Sequence, residues 1–262
     1  MGFVWTIFYN FADMNHASIL RVKETESTNR DLEKWIRGNV LDNNELPEFY
    51  MLMADYQTAG RGQGTNRWHS APQLNLLASI YFRPLLPASR QFVFNEYFAL
   101  AVKDSLSFYV KDVMVKWPND IYVGDRKIAG ILIEHSVSGD VLSSTIAGIG
   151  LNVNEKEFPD WIPNPTSLAL LTGSEFSVEE VAARLHAQLQ NTYSRLQPDG
   201  WMALNADYLS SLCRMNEWAR YEIGGREVEA RIVGIDEYGR LLLEGRGGQR
   251  WRCGMKEVRY LW

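Results

Sequence analysis

The chain has 262 residues, of which 46% are hydrophobic and 23% are charged, and its formal net charge is −5. These values are ordinary for a folded globular protein and exclude an intrinsically disordered chain. The acidic balance argues against a broad basic surface for duplex DNA, so chemistry on anions should be confined to a cleft.

The cysteines and histidines do not form a metal-binding or disulfide pattern. The two cysteines, Cys213 and Cys253, lie far apart without a C-x-x-C pair, and the four histidines lack the H-E-x-x-H spacing. We therefore expect neither a disulfide scaffold nor a metal site in the protein. We also expect no membrane span, because no apolar run reaches about 18 residues. The start of the chain lacks the basic and small-residue pattern of a signal peptide, so a cytoplasmic location is expected.

The first predicted elements are a strand end and a short helix within residues 21–39. Ser27 or Thr28 can cap the helix, and Gly38 is expected to end it. Two apolar runs, 49–57 and 75–83, have the length and composition of strands. The glycine-rich stretch between them is therefore predicted to be a loop.

Residues 89–110 have the length and periodicity of a helix. Residues 113–137 alternate strand signals with turns at 118–120 and 124–125, and a further strand is expected in 143–154. Two helical segments follow, at 178–196 and 201–212.

The character of the chain changes near residue 215. Alternating apolar residues on either side of a turn at 236–239 predict a β-hairpin, and the flanking segments bring the total to about five short strands. We therefore expect a domain of residues 1–215, with 1–13 as an unassigned extension, and a small β-barrel of residues 216–262.

The loop Y-Q-T-A-G-R-G-Q-G-T-N-R-W, residues 56–68, is the first candidate for chemistry. It is neither a Walker loop nor a dinucleotide-binding fingerprint, because the G-K-[ST] ending is absent and the loop leads into a strand. Its glycines nevertheless let backbone N–H groups converge on an anion, and Arg61 can add a charged contact. The alternative is a flexible surface hairpin.

Three further stretches are also candidates for chemistry. Lys116, Asp120 and Lys127 fall around two tight turns and can point into one mouth, although charges on strands are more often a solvated face. The S-T-N of residues 27–29 can be a helix cap alone. The G-I-G-L-N-V-N of residues 148–154 offers close backbone approach at its glycines.

Taken together and in this order, the four stretches resemble the biotin protein ligases. The resemblance rests on S-T-N, on Y-Q-T-A-G-R-G followed by Trp68, on K-W-P-N-D-I-Y with R-K-I-A-G-I-L-I-E behind it, and on G-I-G-L-N-V-N. It implies an α+β fold, in which a mixed-sheet catalytic domain of the class II synthetase and biotin ligase type, with flanking helices, precedes an SH3-like barrel. The catalytic motifs begin by Ser27, so we expect a monofunctional form without a DNA-binding domain.

The resemblance also implies a reaction and its site. ATP and Mg²⁺ activate biotin as biotinyl-5′-AMP, and the biotin then passes to a lysine of a biotin carboxyl carrier protein. Arg61, Lys127 and Asp120 are the implied catalytic residues. The implied biotin site comprises Ser27, Thr28, Asn29, Gln57, Gly60, Arg61, Gly62, Gln63, Trp68, Lys127 and Gly130. The implied nucleotide site comprises Lys116, Trp117, Asn119, Gly150 and Asn152.

Two alternatives remain at this point: a lipoate or octanoate ligase or transferase of a related fold, and a biotin-binding protein without catalysis. The expected partners are the carrier protein and, if the chain pairs with itself, a second copy in a homodimer; nucleic acid and membranes are not expected. The sequence does not decide between monomer and homodimer.

The loop departs from the usual G-R-G-R-x-G-R-x-W pattern at Gln63, which stands where the second arginine is expected. A glutamine can hydrogen-bond a phosphate but brings no charge, so we predict a weaker hold on the adenylate. Gln63→Arg should therefore slow release of biotinyl-5′-AMP from the enzyme, measured by its appearance in solution after a chase. Release that is no slower in the arginine variant would contradict this reading.

Overall fold

The computed structural model describes residues 19–41 and 46–262. The expected extension at 1–13 lies outside the described residues. Two β-sheets organise the described chain, and this arrangement confirms the α+β class.

The larger sheet has seven strands in the order β1-β2-β3-β7-β6-β5-β4. β1 and β2 run parallel, and every other neighbouring pair is antiparallel. The strands are β1 Ile19–Thr25, β2 Met51–Gln57, β3 Leu76–Phe82, β4 Val113–Lys116, β5 Asp120–Val123, β6 Arg126–Ser138 and β7 Val141–Leu151.

Five α-helices accompany this sheet: α1 Thr28–Leu41, α2 Gln91–Leu106, α3 Leu168–Thr172, α4 Val178–Thr192 and α5 Trp201–Ser210. Short 3₁₀ turns at Ala88–Arg90, Tyr193–Leu196 and Pro198–Gly200 complete the helical segments. The predicted helix at 89–110 is confirmed as α2, and the segment predicted at 178–196 is α4 followed by a 3₁₀ turn. The short helix α3 was not predicted.

The prediction for the end of α1 was wrong, because the helix continues through Gly38 to Leu41. A glycine within a helix costs about 1 kcal/mol relative to alanine, and α1 includes Gly38 despite this cost. Of the two predicted caps, Ser27 precedes the first helical residue, and its carbonyl accepts from the backbone N–H of Asp31 at 3.1 Å. Thr28 is the first residue of the helix, and its hydroxyl donates to the side chain of Gln57.

All seven residues of the central strand β3 are buried. Because side chains alternate between the two faces of a strand, Leu76 and Phe82 join the large core that includes side chains of α2, α4 and α5. Tyr81 faces the other way and packs with Leu32 of α1. A sheet covered on both faces provides a rigid support for any side chain at its edge.

The smaller sheet is antiparallel, in the order β11-β10-β9-β8-β12. Its strands are β8 Trp218–Ile223, β9 Arg226–Ile235, β10 Leu241–Gly245, β11 Arg250–Cys253 and β12 Val258–Tyr260. β9 and β10 form the predicted hairpin. The expectation of about five short strands after residue 215 is confirmed.

The two sheets meet through specific contacts. The indole Nε1 of Trp117 donates to the carbonyl of Gly239 at 2.9 Å, and a side chain at Gly239 would overlap the ring of Phe92. The ring of Tyr122 stacks on Trp262 with a centroid distance of 5.7 Å. The turn between β9 and β10 and the end of the chain are thereby held against the larger sheet.

Within residues 19–41 and 46–262, no helix is long and apolar enough to cross a membrane.

A buried carboxyl lies between α2 and α5. Glu96 is 3% exposed, and the side chain of Asn205 donates to it at 2.7 Å. Burial raises the pKa of Glu96 from 4.5 to about 7, against the opposing effect of that hydrogen bond. The native state therefore retains a proton that the unfolded chain loses in this range.

This pKa predicts a stability that falls as pH rises from 4.5 to about 7, because the folded state binds more protons there. Relative to Glu96→Gln, the wild type should lose ~3 kcal/mol of unfolding free energy across the window. Urea unfolding at several pH values measures this difference. Parallel curves for the two proteins would contradict the assignment.

Candidate functional site

A cavity opens where the glycine-rich loop, the start of α1 and the strands β5, β6 and β7 converge, and the smaller sheet closes one side of it. Most residues predicted for the site line this cavity: Ser27, Thr28, Asn29, Gln57, Arg61, Gly62, Gln63, Trp68, Lys116, Trp117, Asn119, Asp120, Lys127, Gly130 and Gly150. Four motifs far apart in sequence are thus brought to one place.

Two of the predicted residues lie behind the wall. The carbonyl of Gly60 accepts from the backbone N–H of Trp68 at 3.0 Å, and a Cβ at Gly60 would come within 2.6 Å of the Trp68 carbonyl oxygen. Asn152 is 4% exposed, and its amide donates to the carbonyl of Thr166 at 2.9 Å. Both residues support the wall through backbone contacts.

Gly130 and Gly150 face each other on β6 and β7 and form the floor. The indole of Trp68 lies on both, so a Cβ at Gly130 would come within 2.9 Å of the ring, and one at Gly150 would overlap it. The indole Nε1 is buried without a hydrogen-bond partner among the described residues. A buried donor of this kind is rare, and it suits a ligand acceptor.

A buried polar network forms one wall. Gln57 Oε1 accepts from the backbone N–H of Thr28 at 2.8 Å and from its hydroxyl at 3.1 Å. The hydroxyl of Ser79 lies 2.7 Å from Thr28 Oγ1 and 2.5 Å from Asn29 Oδ1. These mutual contacts hold several donors and acceptors in fixed positions beside the floor.

Glu134 extends this network to the loop. Its carboxylate accepts from the side-chain amide of Asn29 at 2.8 Å and pairs with Arg61 Nη1 at 3.1 Å. The same carboxylate thus orients one residue of the polar wall and the arginine of the loop.

The glycine-rich loop is braced by its own backbone. Gly62 N–H donates to the Asn66 carbonyl at 2.8 Å, and Arg61 and Arg67 face each other in an isolated antiparallel bridge. The loop is therefore a small hairpin that presents Arg61 to the cavity.

Lys127 is fixed from both sides. Its ammonium lies 2.6 Å from Asp120 Oδ1 across the turn between β5 and β6. Its backbone N–H donates to the Asn164 carbonyl at 2.7 Å, and its carbonyl accepts from Thr166 N–H at 2.9 Å. The Asp120 carboxylate and the loop that carries Asn164 and Thr166 together hold this lysine at the cavity.

The K-W-P-N stretch connects the cavity to the smaller sheet. The Lys116 ammonium lies over the rings of Tyr122 and Tyr260, at 5.2 and 5.1 Å from their centroids. Burial lowers the pKa of the Lys116 amine below its ordinary value. Asn119 is braced on β6, since its amide donates to the Ile131 carbonyl at 2.5 Å.

The charge of the cavity is opposite to that of the whole protein. One carboxylate, Asp120, lines it, against six cationic side chains: Arg61, Arg67, Lys116, Lys127, Lys256 and Arg259. The prediction that anion chemistry is confined to a cleft is consistent with this distribution. Converging cations beside a polar wall suit a ligand that carries anionic groups at one end and a neutral polar group at the other.

Sequence reasoning did not predict several residues that line or support this cavity, among them Ser79, Glu134, Lys256 and Arg259. Ser79 and Glu134 lie in strands that were predicted, and Glu134 ends the R-K-I-A-G-I-L-I-E stretch, but strand patterns do not reveal which polar residue bonds to the residues that line a cavity. Lys256 and Arg259 come from the smaller sheet and line the same cavity. No sequence signal connected them with a loop almost two hundred residues earlier.

The comparisons with known proteins agree with this geometry. Residues 23–152 match the Biotin/lipoate A/B protein ligase family, and residues 219–251 match the Biotin protein ligase C terminal domain. The chain is 30% identical over 231 residues to the Biotin--[acetyl-CoA-carboxylase] ligase of Mycobacterium tuberculosis, an alignment that covers 85% of this chain and 82% of that protein.

A second relative is the Bifunctional ligase/repressor BirA of Bacillus subtilis, which is 31% identical over 222 residues. That alignment covers 79% of this chain but 65% of the relative, so the match spans just under two thirds of the bifunctional protein.

The solved biotin protein ligase of Aquifex aeolicus, in complex with biotin and ATP, has the same fold. The TM-score is 0.75 at 24% identity, with 93% of this chain and 99% of that chain covered. Matching family regions, a relative aligned over most of its length and a shared fold lead to one conclusion: the chain belongs to the biotin protein ligase family.

Proposed function

We propose that the protein is an ATP-dependent biotin protein ligase. In the first step it joins biotin to AMP, and in the second it transfers biotin to a lysine of a biotin carboxyl carrier protein. The observation that carries the proposal is the cavity itself, where six cations meet a buried polar wall in a protein of net negative charge.

The first step brings two anions together. The carboxylate oxygen of biotin attacks the α-phosphorus of ATP, the bond from that phosphorus to the bridging oxygen breaks, and pyrophosphate leaves with the electron pair. The reactants repel each other, so fixed positive charge is needed at the point of attack. Arg61 and Lys127 are assigned to this role, because both line the cavity and each is held by a carboxylate.

The polar wall is assigned to the head group of biotin. A ureido ring has two N–H donors and one carbonyl acceptor, and Ser27, Thr28, Asn29 and Gln57 present side chains of both kinds. Gly130 is assigned to the floor beneath the ligand, where the missing side chain leaves room for the Trp68 indole, and that indole is assigned to cover the ligand. Gly60, Gly62 and Gln63 shape the loop over the carboxylate.

The nucleotide is assigned to the side of the cavity next to the smaller sheet. Lys116, Asn119 and Gly150 are assigned to the nucleotide, and all three line the cavity. Trp117 and Asn152 are assigned as supports of that side, since Trp117 bonds to Gly239 and Asn152 to Thr166.

The second step is an acyl transfer. The neutral ε-amine of the carrier lysine attacks the acyl carbon of biotinyl-5′-AMP, the bond to the phosphate oxygen breaks, AMP leaves and the amine loses a proton. Asp120 is assigned to orient the incoming amine. Its present partner is Lys127.

Magnesium is expected to enter as the Mg²⁺–ATP complex. Among the described residues, no three His, Cys, Asp or Glu side chains cluster in a way that could hold a metal ion. This fits Mg²⁺, which commonly binds through substrate phosphates and retains water ligands.

The proposal includes two domains, residues 1–215 and 216–262. It is supported by the separate sheet that begins at Trp218 and by the second family match at 219–251. The carrier protein is inferred by analogy with the Mycobacterium tuberculosis relative, which is named for acetyl-CoA carboxylase. Lipoate or octanoate transfer is the less favoured alternative, because the relatives above are biotin ligases.

The test is incubation of the protein with biotin, Mg²⁺–ATP and a biotin-acceptor domain, followed by intact-mass measurement of that domain. We expect one biotinyl group to be added, and none when ATP is omitted or when the acceptor lysine is replaced by arginine. No added biotin, with lipoate or octanoate transferred in parallel reactions, would overturn the proposal.

Lys127→Ala should reduce formation of biotinyl-5′-AMP by about 10²-fold or more, because a fixed cation at the reacting oxygens is lost. Pyrophosphate release measures this first step. Lys111→Ala, which removes an exposed lysine outside the cavity, is the matched control, and thermal unfolding confirms that both variants fold. Full adenylation by Lys127→Ala would contradict the assignment.

Glu134→Gln should weaken biotin binding roughly tenfold, or ~1.4 kcal/mol, because a neutral amide cannot hold both Arg61 and Asn29 in their present positions. Calorimetric titration with biotin measures the dissociation constant. Glu33→Gln, which removes the exposed partner of Arg37 on α1, serves as the control. An affinity equal to that of the wild type would show that Glu134 does not position these groups.

A further inference from the structure

The least basic part of the loop is also the part that meets the smaller sheet. Gln63 stands where the usual pattern has an arginine, and its side-chain amide donates to the sulfur of Met255. Next to it, the Lys256 side chain lies against Gly64. A cation from another part of the chain therefore lies against the residue next to the neutral position of the loop.

The backbone on both sides of this contact is unusual. Gly64 has a φ of +65°, and a Cβ built there would overlap the Lys256 ammonium. Lys256 has a φ of +69°, a conformation that residues with a side chain seldom adopt. It lies in the turn before β12, where Gly254 N–H donates to the Glu257 carboxylate at 2.6 Å. The turn directs this lysine at Gly64, a loop residue that has no side chain.

The charge of Lys256 is also not neutralised. Arg61 pairs with Glu134, Lys127 with Asp120, and Arg259 with Glu222. Within the part of the chain that the structure describes, no carboxylate lies within 4.0 Å of the Lys256 ammonium. Its side chain lines the cavity beside Arg61 and Gln63. A cation that is held at a cavity by its backbone and lacks a partner there is available to an anionic ligand.

We propose that Lys256 is a substrate-binding residue, which contributes from the smaller sheet the positive charge that loop position 63 lacks. Its partner is the phosphate of the acyl-adenylate, and the triphosphate before it. This inference rests on the proposed function, and it makes the contact between the two sheets a part of the nucleotide site.

The test is a double-mutant cycle on residues 63 and 256. Lys256→Met should raise KM for ATP and speed release of biotinyl-5′-AMP by roughly tenfold, the effect of ~1.4 kcal/mol. Lys256→Arg should preserve the wild-type values, because the charge is retained. Gln63→Arg should slow release of biotinyl-5′-AMP much more in the Lys256→Met background than in the wild type. In the wild type, Lys256 already supplies a cation to the phosphate.

Lys111→Met is the matched control and should behave as the wild type. Equal release rates and equal KM values for wild type and Lys256→Met would overturn the inference, as would an effect of Gln63→Arg that is the same in both backgrounds. Failure of the proposed function is a separate result, because then the wild type itself would form no biotinyl-5′-AMP. Unfolding curves establish that the exposed substitution leaves the fold intact.

Discussion

Repulsion between two anions is the constraint on which the rest of the structure depends. In the proposed reaction a carboxylate must reach the α-phosphate of a triphosphate. In a cavity that excludes water, the repulsion between these two anions is only weakly screened. An acidic protein meets this requirement by collecting its cations in one place. They come from the glycine-rich loop, the two tight turns around β5 and the smaller sheet.

The cations are useful only because they are held. Arg61 and Lys127 each pair with a carboxylate, at 3.1 and 2.6 Å, and Lys127 is also fixed by its backbone to the loop that carries Asn164 and Thr166. Preorganised charge does not have to be rearranged when the transition state forms. The ion pairs also balance the positive charge of Arg61 and Lys127 before a ligand binds. An anionic ligand then interacts with cations that are already in position.

The rigid support behind the site comes from the apolar core. β3 is buried along its whole length. Ser79 lies in the middle of that strand, and its hydroxyl contacts the side chains of Thr28 and Asn29 and fixes their positions. The glycines of the floor serve a different purpose, because Gly130 and Gly150 allow the Trp68 indole to lie directly on the backbone. Contacts at Gly239 and Trp262 then hold the smaller sheet against this frame.

The sequence by itself determined the elements and the motifs. Periodicity predicted β2, β3, α2 and the hairpin of β9 and β10, and four ordered motifs identified most of the cavity residues. These features depend on neighbours along the chain, which one sequence displays directly. The end of α1 was missed, because a glycine costs a helix only about 1 kcal/mol and does not by itself end it.

Only the tertiary structure decided which charges meet. Glu134 contacts Arg61 and Asn29 because β6 runs beside β7 and beneath the loop, and Lys256 reaches Gly64 because the smaller sheet packs against the larger one. Such contacts join residues that are tens to almost two hundred positions apart, and spacing in one sequence does not encode them. The loop sequence lacks one positive charge at position 63 relative to the usual pattern, and the fold places the Lys256 ammonium beside the loop.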